Sequence, residues 1–91
     1  MKAEAARFLE AMFEKAQRKV VEHGRPPDPW NHFDRPFFVR RMKEEMAELE
    51  EAIETGDVTE MMDECIDVAN FAMFMWIKLR DEQPALEREE P

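Results

Sequence analysis

The apolar positions of this chain fall into three runs with helical spacing, separated by prolines and glycines. In the first run Phe8, Leu9, Met12, Phe13, Ala16 and Val20 recur at three- and four-residue intervals, which puts them on one stripe of a helix. The pattern predicts a helix over residues 2–23. Gly24 is its natural stop, because glycine takes the left-handed conformation that closes a helix just past its last turn. The segment 24–36, GRPPDPWNHFDRP, has four prolines (Pro26, Pro27, Pro29, Pro36) and therefore reads as a loop.

In the second run Phe38, Met42, Met46, Leu49 and Ile53 share a face. This helix begins near Asp34 to Pro36, since an aspartate can cap free amides and a proline suits the first turn. Gly56 ends it. Asp57 opens the third helix, with Glu60 three residues on in the pattern of a capping box built on aspartate. That helix extends to about Gln83, where Pro84 stops it. So short a turn makes the second and third helices an antiparallel hairpin. Residues 1–83 are thus expected to form a single domain, and 84–91 an acidic, frayed tail.

The third helix sets the larger architecture. Between Cys65 and Ile77 its only polar residues are Asp67 and Asn70, so apolar side chains point in nearly every direction. A helix that is hydrophobic all round must be covered all round, and two other helices are too few. The expected fold is all-α: a helical hairpin plus an N-terminal helix, assembling into a multi-chain helix bundle as a homodimer or homotetramer.

Composition supports helices and narrows the partners. The 91 residues are 44% hydrophobic and 38% charged, with two glycines and no tyrosine. A net charge of −9 argues against tracking a nucleic-acid polymer. It leaves small phosphorylated ligands open, because a bound metal reverses the local sign. The first residues are charged and amphipathic, unlike a signal peptide. The Cys65–Ile77 run is too short to span a bilayer. No membrane partner is expected, and a cytoplasmic location is.

The candidate chemistry lies in two acidic pairs. Glu45 and Glu48 are one turn apart on the second helix, and Glu64 and Asp67 one turn apart on the third. In the hairpin both pairs lie about two turns from the connection, so they are level. Oxygen ligands of this kind suit Mg²⁺, and four facing carboxylates repel unless a cation or proton sits among them. The glutamates alone pass for a solvated face. Asp67 does not: it lies in an apolar run, and no lysine or arginine is within one turn of it on its own helix. No histidine follows the glutamates at the spacing of a diiron bundle.

The sequence Glu44-Glu45-Met46-Ala47-Glu48, then fifteen residues, then Glu64-Cys65-Ile66-Asp67 resembles the EExxE…ExxD signature of the MazG-like all-α nucleoside triphosphate pyrophosphohydrolases. The likeness covers residues 36–80. It implies a Mg²⁺-dependent hydrolase, with Mn²⁺ as a substitute, that converts an NTP or dNTP to the monophosphate and pyrophosphate in nucleotide-pool house-cleaning. It implies Glu45, Glu48, Glu64 and Asp67 as metal ligands, and Glu44 as a residue that helps orient or deprotonate water alongside Glu45 and Glu48. The alternative is a non-catalytic helical oligomer that binds metal, nucleotide or a partner.

Phosphates need cations. Candidates are Arg40, Arg41, Lys43, Lys78, Arg80, Lys15, Arg18 and Lys19. Lys78 is favoured because it shares the stripe of Glu64 and Asp67. A base needs flat apolar surfaces, and among Trp30, Phe33, Phe37, Phe71, Phe74 and Trp76 the best single stacking candidate is Trp30. Asn70 continues the acidic stripe and can bond a sugar, a phosphate or a metal-bound water, or simply be a satisfied buried amide.

Overall fold

The computed structural model describes residues 1–83. It holds three long helices and one short turn of 3-10 helix: α1 (Lys2–His23), the turn Pro29–Asn31, α2 (Arg35–Thr55) and α3 (Val58–Glu82). The fold is all-α. The expected acidic tail, 84–91, lies outside the described residues.

The helix ends follow from the residues that mark them. Asp34 Oδ1 accepts from the Phe37 amide at 3.0 Å, and Asp57 Oδ1 from the Glu60 amide at 3.0 Å. Each ties down an amide that the first turn leaves unpaired. Gly56, at φ 79°, donates to the Ala52 and Ile53 carbonyls and turns the chain from α2 into α3. That left-handed conformation suits glycine because no Cβ meets the neighbouring carbonyl.

Within the proline-rich loop, Pro29 begins a single turn that carries Trp30 towards α3. The Trp30 ring lies 6.0 Å from that of Phe74, and Lys78 Nζ donates to the Trp30 carbonyl at 3.4 Å. Arg35 and Lys78 both pair with Glu82. These contacts fasten the loop to the C-terminal half of α3.

Helix α3 is the common support. Both α2 and α1 pack on it, and among the described residues α1 and α2 do not pack on each other. A cleft therefore runs between α1 and α2 with α3 as its floor. Among the described residues the buried apolar side chains are few, Met12, Phe38, Ala52 and Phe71, and of these Phe38 is fully buried. Phe38 is the centre of an aromatic cluster, with Phe33, Phe37 and Phe74 around it at ring separations of 5.4 to 6.4 Å.

One side of α3 is covered in this way. The other is open: Val58, Met62 and Trp76 remain 63%, 67% and 59% exposed. No helix of the described residues is long and apolar enough to cross a membrane.

Candidate metal centre

The antiparallel hairpin brings the two acidic pairs to one level, as their distance from the turn requires. One carboxylate oxygen each from Glu45, Glu48 and Glu64 lie within 4.8 Å of one another. Glu45 and Glu64 are buried, at 5% and 4% exposure, and Glu48 stands at the rim. Arg41 donates to Glu45 Oε1 at 3.0 Å. Among the described residues Glu45 Oε2 and Glu64 Oε2 find no hydrogen-bond partner.

Buried carboxylate oxygens without partners are costly. A hard divalent cation supplies what they lack, so the donor set fits Mg²⁺ or Mn²⁺. The cluster also extends outward, because Glu60, Asp63 and Glu64 likewise bring oxygens within 4.8 Å.

Proton occupancy follows from the crowding. Burial pushes the Glu64 carboxyl up to about 9, and the neighbouring Glu45, Glu60 and Glu48 carboxyls add to the rise. Burial also raises Glu45. The metal-free cluster therefore keeps a proton at neutral pH that the unfolded chain has lost. Between about 4.5 and 9 the native state holds more protons than the unfolded one, so metal-free stability falls as pH rises through that window. A divalent cation held by Glu45, Glu48 and Glu64 would displace the proton. Titration calorimetry in buffers of different ionisation enthalpy should show about one proton released per Mg²⁺ at pH 7, with tighter binding at pH 8 than at pH 6. Binding without proton release would exclude this protonated cluster.

No lysine or arginine of α3 lies within a turn of Asp67, and its salt-bridge partner comes from α1 instead. Its Oδ2 lies 2.6 Å from Lys15 Nζ, contributed by α1. The same ammonium is 2.9 Å from Asp63 Oδ2 and donates to the Asp63 carbonyl. Lys15 is 6% exposed. Burial lowers its pKa, but Asp67 and Asp63 outweigh that and hold it above the ordinary lysine value. Asp67 thus adjoins the three-glutamate cluster while anchored to a cation of the chain itself. The sequence of α3 by itself holds no cation within a turn of Asp67. The available signal was the position of Lys15, three residues after Met12 within the apolar stripe of α1.

Lys15, Lys19, Arg41 and Asp67 also stand between two adjoining clefts. The smaller, about 380 Å³, contains the carboxylates. The larger, about 720 Å³, is walled by Phe33, Phe37, Phe71 and Phe74 and by prolines of the loop, within the size range of small-molecule sites. Arg41 lies 5.0 Å over the Phe71 ring while bound to Glu45. Asn70, 5% exposed, lines this cleft; its amide donates to the Met12 carbonyl at 3.2 Å, and its Oδ1 finds no partner among the described residues.

Three candidates lie elsewhere. Lys78 is about 16 Å along α3 from Asp67, at 1.5 Å per residue, and is engaged by Trp30 and Glu82. A shared stripe fixes angle but not height. Trp30 packs on Phe74 and is not among the side chains lining the large cleft. Glu44 is exposed and paired with Arg41 and Arg40 rather than turned into the cluster.

A helical hairpin with a carboxylate cluster at its seam, opening onto an aromatic cleft bordered by cations, defines a class: an all-α protein with an acidic site beside a cleft of small-molecule size. The family model of phosphoribosyl-ATP pyrophosphohydrolase matches residues 7–80, and the chain belongs to that family of pyrophosphohydrolases. An uncharacterized protein of Archaeoglobus fulgidus is 43% identical over 75 residues, covering 82% of this chain and 81% of that one. The crystal structure of a predicted coding region from the same organism superposes with a TM-score of 0.82 at 39% identity, covering 90% of this chain and 98% of the other.

Proposed function

We propose that this chain is a MazG-like, Mg²⁺-dependent pyrophosphohydrolase of the cytoplasm. It hydrolyses a nucleoside triphosphate to the monophosphate and pyrophosphate, in nucleotide-pool house-cleaning, and works as a homodimer or homotetramer of its single domain. The observation that carries the reading is the pair of unpartnered, buried oxygens on Glu45 and Glu64, held beside Glu48 and adjoining an aromatic cleft. Family membership supports the pyrophosphohydrolase class.

Glu45, Glu48 and Glu64 would hold the metal, with Asp67 next to them. When bound, Mg²⁺ supplies charge screening of the triphosphate, polarisation of the α-phosphate and orientation of a water. Lys15 and Arg41 border both clefts and would take phosphate oxygens there. The phenylalanine wall takes the base, and the Asn70 Oδ1 accepts a hydrogen bond from the nucleoside. Glu48, the exposed member of the trio, accepts the proton of the attacking water. Water adds at the α-phosphorus, the bond to the bridging oxygen breaks, and pyrophosphate leaves.

The test is pyrophosphate release from a panel of NTPs, dNTPs and phosphoribosyl-ATP with Mg²⁺ or Mn²⁺. Release from at least one, abolished by EDTA, is expected. Silence across the panel with both metals would overturn the reading. In parallel, Mg²⁺ at a hundred times its dissociation constant should stabilise the fold by about 2.7 kcal/mol. Identical melting curves in Mg²⁺ and EDTA would remove the metal centre.

A further inference from the structure

Of the lysines, arginines and histidines among the described residues, Lys15 alone is buried. An ammonium taken this far out of water is costly unless it is paired. Its partners are two aspartates of another helix. Lys15 Nζ lies 2.6 Å from Asp67 Oδ2 and 2.9 Å from Asp63 Oδ2, and it donates over a longer 3.3 Å to the Asp63 carbonyl. Asp63 and Asp67 are four residues apart on α3, so both project from one side of that helix. Both line the acidic cleft that also holds Glu45, Glu48 and Glu64.

The carboxylates of α2 and α3 in this cleft fall into two groups. Asp63 and Asp67 are matched by Lys15. Glu45, Glu48 and Glu64 face one another within 4.8 Å, and Asp67 is not among them. The buried carboxylate oxygens without a partner among the described residues, on Glu45 and Glu64, belong to this second group. The trio is thus the place for a divalent cation, while Asp67 Oδ2 is already taken by a cation of the chain. The outer group, Glu60, Asp63 and Glu64, includes an exposed glutamate and depends on the aspartate that Lys15 holds.

Carboxylate sites that cleave phosphate esters and anhydrides often hold two metal ions about 3.5–4 Å apart, which stabilise the attacking and the leaving oxygens. We infer that Lys15 takes the place of a second metal ion, so that the site works with one divalent cation on Glu45, Glu48 and Glu64 and one ammonium on Asp63 and Asp67. The inference rests on the metal reading of the proposed function and specifies its stoichiometry. A lysine ammonium is a compact charge with three donors. Two serve the aspartate side chains. The third, on the long contact to the Asp63 carbonyl, turns to a phosphate oxygen when substrate binds. Lys15 then offsets charge on the departing pyrophosphate, and a chelator cannot remove it. Asp67 positions the ammonium and not the metal.

Mn²⁺ alone is the probe. Equilibrium dialysis counts the bound ions, and electron paramagnetic resonance shows whether they are neighbours through their spin coupling. Wild type should hold one tightly bound Mn²⁺ per chain, with the spectrum of isolated ions. Lys15→Met frees Asp63 and Asp67 and should hold two, spin-coupled. Two tight ions per chain in wild type, or one in folded Lys15→Met, would overturn the inference.

If Lys15→Met does not fold, two isosteric variants decide. Glu48→Gln should weaken Mn²⁺ binding at least about tenfold more than Asp67→Asn does, because only Glu48 faces the ion. Equal weakening would make Asp67 a metal ligand and overturn the inference. Wild type that binds no Mn²⁺ would remove the metal centre and the inference with it, whereas two tight ions in wild type would overturn the inference and leave the metal centre standing.

Discussion

Glu64→Gln should cut pyrophosphate release by at least about a hundredfold and, at the same time, raise the melting temperature of the metal-free protein. Loss of a group that merely supports a metal ligand costs 10- to 100-fold, so loss of a ligand should cost more. The stabilisation has a separate origin. Glu64 is buried with one oxygen unpartnered, and at neutral pH it keeps a proton that the unfolded chain gives up. Glutamine has no charge to desolvate, and its amide can donate to Glu45. For a domain of this size about 1 kcal/mol corresponds to roughly 4–8 °C. The gain should shrink towards pH 5, where wild-type and unfolded chains carry nearly the same protons. Melting in EDTA at pH 5 and pH 8, together with a pyrophosphate assay, checks both halves. A variant that is less stable than wild type at pH 8 would show that the site is not under electrostatic strain.

Lys15→Met should be the most destabilising single change in the cleft. It removes the cation of a buried pair and leaves Asp67 with an uncompensated charge. Breaking such pairs costs about 3–5 kcal/mol. Asp63, half exposed, is screened by solvent and lessens the loss, so about 2–3 kcal/mol is expected. That is a large share of the 5–15 kcal/mol that holds a typical domain together. Adding Asp67→Asn should restore most of it, because the stranded charge is then gone. Urea midpoints of the single and double variants measure this directly. Equal midpoints for wild type and Lys15→Met would mean the ion pair contributes nothing.

These two residues also show how far the sequence could be read. Glu64 was legible. Its spacing from Asp67, and the distance of both pairs from the Gly56–Asp57 turn, fix where the carboxylates meet. The helix limits were legible for the same local reason: Asp34, Gly56 and Asp57 determine the ends through contacts with their immediate neighbours. Lys15 was not, because its partners are 48 and 52 residues away and depend on how α1 lies across α3. The positions of Trp30 and Lys78, away from the acidic cluster, were illegible for a related reason. Helical phase gives the direction of a side chain, but the choice between the acidic cluster and the far end of α3 depends on where the loop docks. The all-round hydrophobicity of α3 corresponds to apolar surface that the described residues leave open at Val58, Met62 and Trp76.

The absence of packing between α1 and α2 has its own consequence. The hairpin shares a long seam, whereas among the described helices α1 packs on α3 and not on α2, by Met12, Lys15 and the Asn70 bond to the Met12 carbonyl. The molecule therefore has two tiers of cohesion, and α1 belongs to the weaker one. A polyanion gripped by Lys15 on α1 and Arg41 on α2 would bridge the two helices that the polypeptide leaves apart. Occupancy and the seating of α1 would then be one equilibrium, and the ligand would act as a missing piece of the core.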